Sequence, residues 1–297
     1  MKQSSTTARL SVVLAMTVFG TIGIFRTYIS GVPSGLLAAL RGIVGALFLL
    51  ALVYLRRKRL DLAAIRQNLW CLIVSGVVMG FNWILLFEAF RFTSVATATL
   101  CYYMAPVFVI LASPFLLGEK LTARRLVCVL VALGGMIPVS GILSTSFSGM
   151  AELRGVALGL GAAVLYACVV LINQRIRGIG AYDKTIVQLG AAGLSVLIYS
   201  LLVEDVSAVS LDATTLSLVA VVCFVHTGIC YALYFGAMGL IPAQTVALLS
   251  YIDPVVSVLL SAVLLRQGLD VWGWIGAVLI LGAAILGELP AKRKKES

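Results

Sequence analysis

In a stretch that is otherwise apolar, ALLSYIDPVVSVLLSAVLL, a carboxylate and a helix-breaking residue stand side by side, Asp253 and Pro254. An aspartate at the centre of a membrane-crossing helix costs about 2.5–3.5 kcal/mol on an insertion scale, so a chain that keeps one there must compensate it or use it. Ser250, Ser257 and Ser261 recur with Asp253 at helical spacing, which predicts a hydroxyl-lined face for the carboxyl. Pro254 lacks a backbone donor and frees a carbonyl one turn earlier for water, ligand or a neighbouring helix; Pro106 does the same in its own segment. Two readings of Asp253 follow: a group in a water-accessible transport pathway or proton site, and a structural carboxyl satisfied by interhelical hydrogen bonds.

His226, the only histidine, is expected at a similar depth. There it could form a His226/Asp253 pair suited to proton coupling, or serve as a hydrogen-bonding core residue. Trp83, Tyr102, Tyr103, Tyr231, Tyr234 and Tyr251 fall at central to intermediate depth, whereas interfacial anchors belong at segment ends. With Asn82 and Ser250 they suit the binding of a mixed-polarity small molecule, and ordinary packing accounts for part of the set. Arg26, Arg41, Glu88 and Arg91 gather toward one side. Glu88 and Arg91, three apart, can pair along a helix, and arginine's planar fork suits a carboxylate; the group reads as a rim of ion pairs or as a gate that receives substrate.

Other chemistry has little to build on. The six cysteines all lie in apolar runs without metal-ligand spacing, so no disulfide framework, metal or cofactor is implied. One histidine, few deep carboxylates and no Gly-rich phosphate loop argue against an enzyme and against nucleotide-driven pumping.

The elements that must position these residues are membrane helices. Of 297 residues, 61% are hydrophobic and 11% charged, against about 45–50% and about 25% in a soluble domain. Apolar runs bounded by charged or Pro/Gly breaks predict ten helices: Thr7 to Ile29, Pro33 to Leu55, Trp70 to Phe90, Ser94 to Leu117, Thr122 to Gly141, Arg154 to Asn173, Lys184 to Val203, Thr214 to Ala237, Pro242 to Leu265 and Val271 to Glu288. The net charge of +10 sits mainly in short connections, which points to a lipid bilayer and away from nucleic acid. With the N-terminus inside, 17 of the 22 basic residues face the cytoplasm, including the tail 290–297, so both termini are expected there, in the plasma membrane.

A shift of 148 residues lays the third and fourth spans over the eighth and ninth, with Gly80 on Gly228, Phe87 on Phe235, Tyr103 on Tyr251 and Pro106 on Pro254. The units 7–141 and 154–289 hold five spans each, and an odd number inverts the second unit across the membrane, a signature of secondary transporters. The stretches FNWILLFEAFRFTSVATATLCYYMAPVFVILASPFLLGEKLT, GAMGLIPAQTVALLSYIDPVVSVLLSAVLLRQGLD and ALRGIVGALFLL resemble the drug/metabolite transporter superfamily, in its EamA-type ten-helix branch. The resemblance implies two inverted five-helix repeats around a central cavity lined by helices 1, 3, 4, 6, 8 and 9. It also implies export of amino acids or related small metabolites by alternating access, with drug or lipophilic-cation export, or metabolite import and exchange, as alternatives. The family often closes its fourth and ninth helices with Gly-Glu; here Gly118-Glu119 is matched by Arg266-Gln267.

Overall fold

The hydrocarbon interior of a bilayer offers no partner to an open backbone group, and a helix satisfies each one internally, so long apolar runs become helices. The computed structural model describes residues 5–116, 123–139, 149–207, 209, 212–237, 240–241, 246 and 249–288. In chain order the helices are α1 (Ser5–Phe19), α2 (Ile22–Tyr28), α3 (Ser34–Leu55), α4 (Leu62–Phe92), α5 (Val95–Tyr102), α6 (Ala105–Leu116), α7 (Ala123–Val139), α8 (Met150–Asn173), α9 (Ala181–Val203) and α10 (Ala213–Val221). A π-helical segment (Val222–Ile229) follows, then α11 (Cys230–Ala237), α12 (Ile252–Leu264) and α13 (Val271–Glu288). Seven helical stretches among the described residues are long and apolar enough to cross a membrane, and three shorter apolar helices accompany them, Leu126–Val139, Ile252–Leu264 and Val271–Ala283.

Several helices differ from the sequence expectation, each for a local reason. The third begins at Leu62 rather than Trp70 because the Asp61 carboxylate caps it, accepting from the Ala64 amide at 3.0 Å. The helix expected over Thr7 to Ile29 turns at Gly20 and Thr21, between α1 and α2. That expected over Ser94 to Leu117 is interrupted at Tyr103 and Met104, between α5 and α6. The ninth breaks at Tyr251, so Asp253 lies in the first turn of α12 and not at mid-helix. Both prolines are the cause: Pro106 and Pro254 cannot donate to the carbonyl four residues back, yet each fits the first turn of a new helix, whose amides are unpaired anyway. Gly118-Glu119, Pro242 and the 290–297 tail lie outside the described residues.

The helices pair in a set with internal regularity. The α4 helix packs on α8 and α9, while α11 and the π segment pack on α1 and the π segment also on α3. Across the middle, α3 faces α9, α5 faces α12 and α7 faces α13. Exchanging the residues up to 139 for those from 150 onward carries this set of pairings into itself. The α3/α9 contact is close from both sides: a Cβ added at Gly42 would stand 2.7 Å from the Gly193 backbone, and one at Gly193 would stand 2.6 Å from the Ile43 amide.

Glu204, at the end of α9, accepts from the Gly35 amide at 2.8 Å and the Leu36 amide at 3.0 Å, and from the Ser200 hydroxyl, so it caps the N-terminus of α3. A carboxylate in that position is worth about 1 kcal/mol. Glu204→Ala is therefore expected to lower the Tm of the purified protein by about 2–4 °C, with a smaller loss for Glu204→Gln. An unchanged Tm in thermal denaturation would show that the cap adds nothing to stability.

Candidate functional site

Three helix interruptions meet inside the bundle. The α5 helix lies against α12, joined by Thr99 Oγ1 and Ser257 Oγ at 3.0 Å. The Gly20 turn presses on the start of α12, so closely that a Cβ there would stand 2.6 Å from the Asp253 carbonyl. Pro254 leaves the Ser250 carbonyl without its helical donor, and the Tyr103 hydroxyl donates to it at 3.4 Å, which is the neighbouring-helix partner the sequence leaves room for. The same phenol lies close to the Asp253 carboxyl.

Aromatic rings surround that point. The Tyr103 ring lies 6.1 Å from Tyr251, tilted to it, and 6.1 Å from Tyr102, edge-on to it, and Tyr102 lies 5.4 Å from Tyr166. Tyr102, Tyr103, Tyr234 and Asp253 are half-buried and Tyr166 is 40% exposed, although all lie in or between apolar helices. A ring of partly accessible phenols around one carboxyl, flanked by two helix breaks, makes a polar crevice inside an apolar bundle. The serine stripe does not line it along its whole length. Ser257 and Ser261 are buried, the first bonded to Thr99 and the second aimed at the Gln267 carbonyl at 3.4 Å, so that face of α12 looks at α5. The Ser250 hydroxyl turns back to the Val246 carbonyl at 2.9 Å.

The π segment sets the next group of residues. Its wider register lets the Thr227 hydroxyl donate to the Val222 carbonyl five residues back at 3.2 Å while accepting from Arg41 Nε at 3.2 Å. Arg41 lies with its guanidinium 4.1 Å from the centre of the Trp83 ring and 5.5 Å from that of Phe87. His226 is buried and engaged by α2 and the turn before it: Nε2 meets Thr21 Oγ1 at 2.7 Å, Nδ1 lies 3.4 Å from the Val221 carbonyl, and the ring packs on Phe25 at 4.9 Å. The π register turns it toward the turn between the first two helices, so of its two readings the geometry matches the hydrogen-bonding core residue, with Thr21 in place of Asp253 as its partner. Asn82 is fully buried against α8, where Nδ2 donates to the Ala162 carbonyl at 2.5 Å, a tie between helices rather than part of the crevice wall.

At one mouth of the bundle, Arg26 donates to the Ile29 carbonyl at 2.9 Å and to Ser34 Oγ at 3.0 Å, and Ser34 donates onward to Glu88 at 2.6 Å. Glu88 also pairs with Arg91 at 3.0 Å. These residues, with Glu204 and Asp205, line a cavity of about 760 Å³. Arg41 is not part of it; of the four charges read together in the sequence, three join through Ser34 into a latch and one is a deep arginine. Among the described residues no group of three or more His, Cys, Asp or Glu side chains is placed to hold a metal.

The model of the EamA-like transporter family matches this chain twice, over residues 6–141 and 153–287. The chain belongs to the EamA-like transporter family. It is an integral membrane transporter and not an enzyme. An uncharacterized transporter of Bacillus subtilis, YxxF, is 28% identical over 289 residues, covering 96% of this chain and 90% of that one. A probable amino-acid metabolite efflux pump of Escherichia coli is 27% identical, covering 69% of this chain and 74% of the pump. One solved crystal structure shares the fold, with a TM-score of 0.67 at 24% identity over 96% of this chain and 98% of its own.

Within this EamA-like transporter, sequence reasoning missed the partners that hold the site together. Tyr166 enters the phenol ring from α8, Thr21 holds the histidine, and Ser34 joins Arg26 to Glu88. Where the family's Gly-Glu gives way to Arg266-Gln267, the Gln267 side chain accepts from the Val95 amide at 3.2 Å and closes the start of α5. A signal existed only for Tyr166, an aromatic on a span otherwise marked by glycine and alanine.

Proposed function

We propose that this protein is a secondary carrier that exports amino acids or related small metabolites across the cytoplasmic membrane by alternating access. In this reading ten crossings form two inverted five-helix repeats, residues 7–141 and 154–289, with both termini cytoplasmic. The observation that carries it is the pair of matched helix breaks at Tyr103 and Tyr251 around the Asp253 crevice. Discontinuous helices at the interface of two related halves are the usual place for a transported solute. The double family match, the self-exchanging helix pairings and the efflux activity named for the Escherichia coli relative support the same reading.

The residues then take roles. Tyr102, Tyr103, Tyr234, Tyr251 and Trp83 supply the walls of the substrate site, Asp253 its charge, and Ser250 a carbonyl free of helical bonding. The Arg26, Ser34, Glu88 and Arg91 latch closes one mouth, and solute moves when the halves tilt so that the latch parts and the opposite mouth closes. Protons are the proposed coupling partner, carried at Asp253. A second reading, export of lipophilic cations, is favoured by the lone carboxyl among phenols.

Purified protein in liposomes preloaded with unlabelled L-amino acids is expected to give saturable counterflow of a labelled one. An inward-acid pH gradient should speed uptake. Counterflow seen only with an aromatic cation would favour the second reading, and no flux above empty liposomes for either class would remove both.

A further inference from the structure

Arg41 stands seven residues into α3 from Ser34, about 10 Å inside the mouth at the helical rise, and is 4% exposed. A guanidinium keeps its charge, so one held at that depth needs an answering group. The other arginine buried in a span, Arg26, reaches an acid through Ser34 and Glu88. Arg41 has no such relay. Among the described residues no carboxylate lies within ion-pair distance of it, and its one hydrogen bond there is from Nε to Thr227. Neither terminal nitrogen is among the described side-chain atoms sealed without a partner, whereas Arg26 Nε is.

What surrounds the fork is built to hold it still. Trp83 covers one face, Thr227 fixes Nε, and the contact with Thr227 depends on Gly45, where a Cβ would stand 2.5 Å from the Thr227 methyl. Tyr102 and Tyr231, both half-buried, are within electrostatic reach of the guanidinium, and Tyr102 is equally within reach of Asp253. The terminal nitrogens are thus not sealed off, the Tyr102 and Tyr231 phenols lie near the guanidinium, and among the described residues no acid pairs with it.

We propose that Arg41 is a docking site for the carboxylate of a solute that carries one negative charge beside an apolar, preferably aromatic, body. Two parallel N–H···O bonds from the terminal nitrogens hold the carboxylate, and the body lies along Tyr102 and Tyr231. One cation with no counter-charge among the described residues selects a monoanionic group, and the flat Trp83 stack fixes the plane in which it must enter. The inference uses the carrier reading for its cargo, but the site is tested by binding alone.

Phenylacetate and its uncharged isostere phenylacetamide can be titrated against the purified full-length protein, by calorimetry and by thermal shift. Phenylacetate is expected to bind at least tenfold more tightly than the amide and to raise the Tm. Arg41→Met should remove the preference for the acid, and Arg41→Lys, which keeps the charge without the fork, should weaken it severalfold. Equal binding of acid and amide, no binding of phenylacetate, or undiminished preference in Arg41→Met would overturn the proposal. Acid against amide needs only the unsubstituted protein, so the proposal stays testable even where Arg41→Met does not fold. Acid-selective binding without amino-acid counterflow would keep the site and remove the proposed cargo, whereas counterflow without acid preference would do the reverse.

Discussion

Asp253→Asn is expected to reduce solute flux in proteoliposomes at least tenfold while leaving the Tm unchanged or higher. The two readouts separate the roles a deep carboxylate can have. A structural carboxyl earns its place by hydrogen bonding, and its amide isostere would lower the Tm while leaving flux near normal. A working carboxyl is kept despite the cost of holding a charge inside an apolar bundle, and removing the charge relieves that cost. The geometry favours the second case. Asp253 remains half-buried beside the Tyr103 phenol, at the restart of the broken helix rather than packed along it. Ser257→Ala is the matched control: its hydroxyl meets Thr99 inside the α5/α12 contact, so it should cost stability and spare flux. Wild-type flux in Asp253→Asn together with a lower Tm would assign the aspartate to structure.

Gly193→Leu is expected to abolish recovery of monodisperse protein, whereas Gly190→Leu on the same helix should purify like the unsubstituted chain. At Gly193 an added Cβ would meet the Ile43 amide at 2.6 Å and the Ala39 carbonyl at 3.0 Å, backbone atoms that move only with the whole of α3. Overpacking of a tight contact costs about 1–3 kcal/mol when side chains can yield, and here they cannot, so α3 and α9 must separate. At Gly190 nothing stands within 4 Å of the added atom. Size-exclusion chromatography in detergent reads the difference directly. Equal recovery of the two variants would mean that the α3/α9 contact is looser than its geometry indicates.

The fold was largely legible because composition and short connections leave a membrane chain few options. The site was legible in its outline and not in its joints. Pro106 and Pro254 mark the right segments, and the offset of 148 residues puts Tyr103 on Tyr251 where both helices break. A proline in an apolar run, however, does not say whether the helix bends or restarts, and that choice moves Asp253 from mid-helix to a first turn. The π register of Val222–Ile229 leaves no mark in composition, yet it sends His226 to Thr21 and brings Thr227 to Arg41. Contacts such as Ser34 to Glu88 join residues far apart in sequence through a common side chain. Serine at a helix start is so frequent a residue there that its partner cannot be read from its position.

Reciprocal movement of the two mouths is the claim that most needs direct measurement. Spin labels at Ser30 and Asp205, both exposed and both lining the cavity by the latch, report one mouth; labels at Arg59 and Arg177, exposed in the connections at the opposite end, report the other. In each pair one label belongs to residues 6–141 and the other to 153–287. Pulsed electron-electron distance measurements on the reconstituted transporter should give two populations for each pair, the long distance at one mouth gaining occupancy as the short distance at the other does when a transported solute is added. A single distance at both mouths, unmoved by that solute, would contradict alternating access.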